Sequence, residues 1–156
     1  MAKAGYSVIT PAAVSLTAGN AISVLGVLAP ATFGLEIKKI RVGTLGTSAA
    51  VPGDIELCAA TFAAEAPGGS SSTTVSPQQI YGPRIPAAFL SGAAWTTEPT
   101  SLTVIDSWTL TPNSGTVLYD LPLGDSPDCV PETGFVLRAR FAAAVQLKAT
   151  LWVERC

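Results

Sequence analysis

Apolar residues in this chain recur at every second position, in short runs that Pro or Gly cuts off, and no stretch carries the 3.6-residue spacing of a long helix. That pattern admits strands and little else. The most constrained part is residues 35–62, where two such runs flank a link rich in Gly, Ser, Thr, Ala and Pro. In the second run Ile55, Leu57 and Ala59 alternate with Glu56 and Cys58, as in a half-buried strand. In the first, Leu35 and Ile37 share one phase, Ile40 and Val42 the other, and the switch falls at Lys38-Lys39. A one-residue bulge there returns both apolar pairs to one face of a sheet, so Ile37 and Ile40 are expected to be buried on the same side. The plainer alternative is a strand buried on both faces at one end. The two runs together read as the centre of a β-sandwich.

Further runs occur at 6–10, 14–16 and 21–29 before this unit. After it, residues 102–110 and 116–121 flank a Pro-Asn-Ser-Gly turn and read as a hairpin. In residues 135–141 Phe135, Leu137, Ala139 and Phe141 point inward and Arg138 and Arg140 outward. In 146–154 Leu147, Ala149, Leu151 and Val153 alternate with Lys148, Thr150 and Trp152. Eight to ten short strands with frequent turn signals predict an all-β fold. It is a single antiparallel β-sandwich, jelly-roll-like, with an N-terminal arm and one long loop. Residues 1–34 supply the arm and first strands, and residues 35–156 the sandwich, within one domain.

The long loop is residues 63–100, where strand periodicity is lost and Pro or Gly recurs every few residues. A connection this long is uncommon in a compact domain. Its first part, through Ser76, reads as a flexible linker. Its second part carries Ile80, Tyr81, Ile85, Phe89, Leu90 and Trp95 and is too apolar to remain solvated, so it is expected to dock on something. Pro86 is placed to start one helical turn through Leu90.

The chain has 156 residues, nine basic and eleven acidic, and no histidine. Charged residues make up 13% of it, about half the usual share, so its surface is weakly charged and apolar enough to favour burial against partners. The scattered cations do not form the clustered footprint that nucleic acid needs. The apolar run 21–29 is too short to cross a bilayer and reads as a strand, so no membrane role is expected.

Without histidine a Ser-His-Asp or Cys-His arrangement cannot be built, and no catalytic residue is assigned. The carboxylate pairs Asp54/Glu56 and Asp125/Asp128 read as solvated rim and turn. Three cysteines at wide spacing (Cys58, Cys129, Cys156) give neither a disulfide framework nor a zinc set, and no metal or cofactor is expected. The GDSPD run lacks the acidic density of a calcium loop. The Gly-rich APGGSSS lacks the Lys-Ser/Thr ending of a phosphate loop.

The tryptophans divide. Trp108 is in phase with its strand's apolar residues and is expected in the core. Trp152 is out of phase with Leu151 and Val153 and faces outward, and Trp95 lies in the long loop. Exposed tryptophans serve protein contacts or sugar stacking, and cover by the same chain is the alternative for Trp95.

Several segments in order carry a resemblance: LEIKKIRVGT, a GTSAA–VPGDIEL hairpin, a Gly/Ser/Thr-rich turn into TTVSPQQI, the Pro/Ala segment GPRIPAAF, and the closing GFVLRARFAAAVQLKATLWVER with its Trp-x-Glu strand. Over residues 35–156 this resembles the small β-sandwich decoration, or cement, proteins on the heads of tailed bacteriophages. The resemblance implies a non-enzymatic virion protein, made in the host cytoplasm. It would be bound to the outer capsid surface as a homotrimer, bracing neighbouring major capsid protein subunits. The contact residues come instead from apolar positions that no strand pattern accounts for. They are Tyr6 and Val8 of the arm, Ile85, Phe89, Leu90 and Trp95 of the loop, and outward Trp152. The competing expectation is a carbohydrate-binding sandwich of a phage tail or secreted protein, with Trp95 or Trp152 in a groove among polar neighbours.

Overall fold

A computed structural model describes residues 3–45, 51–122 and 124–156. Among them the chain is all β, in two antiparallel sheets packed face to face. The strands are β1 (Gly5–Ile9), β2 (Val14–Leu16), β3 (Ala21–Leu28), β4 (Leu35–Leu45), β5 (Gly53–Ala60), β6 (Thr73–Thr74) and β7 (Gln78–Tyr81). They continue with β8 (Leu90–Ala93), β9 (Leu102–Leu110), β10 (Thr116–Asp120), β11 (Asp128–Cys129), β12 (Gly134–Arg140) and β13 (Val145–Arg155). Sheet A runs β10-β4-β13-β1-β7, with β11 beside β4 and β2 beside β13. Sheet B runs β6-β8-β3-β12-β5-β9.

Set aside the short strands β2, β6, β7, β8 and β11, and eight remain. In chain order, the first, eighth, third and sixth are neighbours in sheet A, and the second, seventh, fourth and fifth in sheet B. That is the jelly-roll order. It arises because nearly every long connection steps from one sheet to the other. The expected hairpin of 102–110 with 116–121 is therefore an arch, with β9 in sheet B and β10 in sheet A. The runs 35–42 and 55–62 likewise fall in opposite sheets, and residues 46–50 of the expected GTSAA hairpin lie outside the described residues.

The bulge is where the phase switch puts it. Lys39 pairs with Trp152 and Ile37 with Val153, so Lys38 is the extra residue of β4. Leu35, Ile37, Ile40 and Val42 are all fully buried in the core between the sheets. Its largest members include Tyr6, Phe135, Phe141, Leu25, Leu147 and Leu151.

The N-terminal segment is not a free arm. β1 pairs with β13 on one side and β7 on the other, inside sheet A, and Tyr6 and Val8 are buried. The long loop also docks on its own chain. It adds β7 to the edge of sheet A and β8 and β6 to the edge of sheet B. Its Gly/Ser-rich part is pinned rather than a flexible linker: Gly68 N–H donates to Ser72 Oγ at 2.9 Å and Thr96 N–H to the Ser71 carbonyl at 2.8 Å. The segment from Pro86 is not helical, and Ala88 sits at φ 53°.

Candidate functional site

The two outer faces of the sandwich end up differently, and the tryptophans show how. Trp95 lies on the outer face of sheet B, 4% exposed, in a second apolar cluster with Cys58, Ala60, Phe62 and Val136. Its indole N–H donates to the Glu65 carbonyl at 2.9 Å. Gly26 of β3 leaves room for the ring: a Cβ there would stand 2.9 Å from Trp95 and 3.2 Å from Val136. The chain continues to Glu98, whose carboxylate accepts from Ser23 N–H and Ser23 Oγ, each at 2.6 Å. Those bonds hold β3 where Val24 is the extra residue against β12. The loop thus closes over its own sheet.

Most of the contact residues expected from sequence are covered by the chain itself. Tyr6, Val8, Phe89 and Trp95 are buried within the chain. Tyr6 meets Phe89 edge to face at 5.5 Å and donates its hydroxyl to the Ile85 carbonyl at 2.7 Å, tying the loop to β1. Their apolarity without strand pattern reflects self-docking. Ile85 is half-buried, packed against the core, and Leu90 is exposed. Trp108 is half-buried on edge strand β9, packed against the margin of the core and stacked on Tyr119 at 5.9 Å.

Trp152 opens onto a groove on the outer side of sheet A. The long loop covers one end of the outer face of sheet A, where the Tyr81 ring lies over Gly5 and bonds Glu154. On this side β13 places exposed Lys148, half-buried Trp152 and buried Thr150 and Glu154, opposed on β4 by Gly43 (Lys148), Lys39 (Trp152), Arg41 (Thr150) and Glu36 (Glu154). β1 adds Ile9 and β10 adds Leu118, 50% and 54% exposed. The groove, about 600 Å³, is lined by Lys3, Lys39, Arg41, Ile80, Tyr81 and Trp152, with Asp120, Leu121 and Glu154. Arg41 and Lys39 lie over the Trp152 ring, 5.1 and 5.7 Å from its centroid.

Charge is distributed unevenly along this face. At one end Lys3 pairs with Glu36 at 3.0 Å and Glu154 at 3.1 Å, Lys38 bonds the same two carboxylates, and Tyr81 donates to Glu154 at 3.2 Å. Burial pushes the Glu36 carboxyl upward, but the Lys38 and Lys3 hydrogen bonds outweigh it and hold the group below its ordinary range. The Glu36 and Glu154 bonds raise Lys3 well above its ordinary value. Burial, with the Glu154 carboxylate, raises the Tyr81 phenol. Asp120 is taken by Lys39 at 3.1 Å. Arg41 and Lys148 are exposed and, among the described residues, have no carboxylate within ion-pair distance.

The residues weighed for chemistry are not assembled into a site. Glu56 is engaged by Arg138, whose Nε and Nη2 each donate at 2.7 Å. The Asp125 backbone N–H donates to the Pro122 carbonyl, in a turn. Among the described residues no group of three His, Cys, Asp or Glu side chains is placed to hold a metal, and no helix is long and apolar enough to cross a membrane. Cys58 is buried and pushed up to about 11 by desolvation. Comparisons with protein-family models, curated proteins and solved structures gave no match.

Sequence reasoning scattered the cations. What it missed is that the bulge at Lys38 and the β4–β13 pairing bring Lys3, Lys38, Lys39, Arg41 and Lys148 to one face. The outward phase of 148, 150 and 152 was the available signal, but the strand it faces is more than a hundred residues earlier.

Proposed function

We propose that the chain is a structural virion protein that decorates a phage capsid and stabilises it by binding across major capsid protein subunits, itself assembled as a homotrimer. It has no catalytic role in this reading. The observation that carries it is the outer face of sheet A. An outward tryptophan, an arginine over its ring and exposed Ile9, Leu118 and Ile80 share that face, while part of the outer face of sheet B, around Cys58 and Val136, is covered by the protein's own loop. Aromatic and Arg anchors amid aliphatic side chains are the composition of protein contacts, and a brace acts through buried area rather than reacting groups. The jelly roll is compatible with this role and with many others. The test is association: light scattering after size exclusion, and co-sedimentation with purified virion shells. A stable trimer present on shells in fixed stoichiometry is expected. A monomer that leaves shells in the supernatant refutes the reading.

The competing carbohydrate reading draws on one observation, the position of Trp152 in a groove with polar neighbours. It requires that a glycan quench tryptophan emission in wild-type protein and not in Trp152→Phe. Silence across a glycan array removes it.

A further inference from the structure

We infer that the groove beside Trp152 seats an acidic, extended polypeptide segment of the partner, with its carboxylates on Arg41 and Lys148 and an apolar side chain against Trp152 and Leu118. The inference rests on the assembly reading above and adds the chemistry of what is bound.

Three features of the face carry it. First, the charge left to offer is positive. Glu36, Glu154 and Asp120 are each in ion pairs, whereas Arg41 and Lys148 are not paired among the described residues. Thr150 opposes Arg41 and Gly43 opposes Lys148, so the two cations are diagonal neighbours across the β4–β13 ladder. Their Cα atoms are then about 7–8 Å apart, within reach of one carboxylate or of two successive ones on an extended chain. Gly43 places no side chain between them. Second, the Arg41 guanidinium lies over the Trp152 ring, 5.1 Å from its centroid, an arrangement that attracts the cation to the ring and leaves N–H donors for a bidentate carboxylate. Third, aliphatic side chains accompany the cations: Ile80 and Leu121 line the groove, and exposed Leu118 and Ile9 share the face, opposite Arg41 and Thr150. A neutral sugar needs acceptors for its hydroxyls. The carboxylates that would serve are occupied by Lys3, Lys38 and Tyr81. Cations beside aliphatic walls match a chain that alternates acidic and apolar residues.

The probe is a synthetic ten-residue peptide alternating glutamate with leucine, titrated into the full-length protein by calorimetry and by tryptophan emission. Saturable binding is expected, weakened at least tenfold by Arg41→Glu/Lys148→Glu and by Trp152→Ala, and falling as salt rises. Arg140→Glu, an exposed charge reversal on sheet B, is expected to leave it unchanged. A glutamine-for-glutamate peptide that binds equally well overturns the inference. So does polygalacturonate binding more tightly through the same two cations, which assigns the groove to acidic glycan. A wild-type oligomer that falls apart in Arg41→Glu/Lys148→Glu also overturns it, by assigning the face to a second copy. Shell co-sedimentation separates the two levels. Shell binding that survives the double reversal overturns the inference and leaves decoration standing. A wild-type protein that binds the peptide but no shell refutes decoration alone.

Discussion

Replacing Trp95 by alanine tests whether the long loop is part of the folded core or a docking arm. Trp95 is 4% exposed, packs on Val136 and Phe62, and donates one hydrogen bond to Glu65. Truncating a buried tryptophan costs about 3–5 kcal/mol, because the transfer energy is lost and the cavity collapses only in part. The orphaned Glu65 carbonyl lies near solvent and adds little. For a chain of this size each kcal/mol lowers Tm by about 2–4 °C, so the expected drop is on the order of 10 °C. Trp152→Ala is the matched comparison. It removes a half-exposed ring from the surface, and its cost is expected to be about 1 kcal/mol or less. Calorimetric melting of the two variants beside wild type decides the matter. A Trp95→Ala melt within about 2 °C of wild type, or the two variants melting together, would refute the argument that residues 63–100 fold onto their own sheet.

Deleting Lys38 removes the extra residue of β4 and turns either Leu35 and Ile37 or the residues beyond them to solvent. Exposing two fully buried side chains costs about 3–6 kcal/mol, and urea denaturation should show it, with Lys38→Ala, which keeps the bulge, far milder. Acid should loosen the Lys3–Glu36–Lys38–Glu154 cluster. The Glu36 pKa is depressed in the folded state, so its contribution is fully present above the unfolded value of 4.5 and is lost as pH falls through the lower folded one. The melting temperature of Glu36→Gln should therefore lie below wild type at pH 7 and converge on it once the pH has fallen below the folded value; a gap that persists in acid contradicts this account.

What the sequence made legible follows from how local each signal is. Strand positions and the β4 bulge are written in side-chain phase, which is set by backbone geometry within a few residues. Partner choice is not. The Pro-Asn-Ser-Gly turn serves a hairpin and an arch equally well, so 102–110 and 116–121 gave no sign that they would enter opposite sheets. Trp108 kept the apolar phase, yet β9 is an edge strand packed on one side, which leaves the ring half-covered. Trp95 and Trp152 look alike in sequence. The cover over Trp95 depends on Gly26, sixty-nine positions earlier, while Trp152 lies beside Arg41 and Lys39 of β4, more than a hundred positions earlier. Residue types alone excluded histidine-based chemistry, but the ion pairs of Glu36 and Glu154, and an Arg41 with no carboxylate partner among the described residues, appear only once β4 and β13 lie side by side.

The place of β13 governs how this protein comes into being. It lies between β4 and β1, so both wait for the strand nearest the C-terminus before sheet A has a middle. On a ribosome adding about 5–20 residues per second, the apolar sides of Tyr6, Val8, Ile37 and Ile40 stay unsheltered for several seconds. Closure then joins positions nearly 150 residues apart, the kind of long-range pairing that folds over milliseconds to seconds. The few charges in the chain offer little protection from neighbours in that interval, so yield should respond to synthesis rate and temperature before stability does.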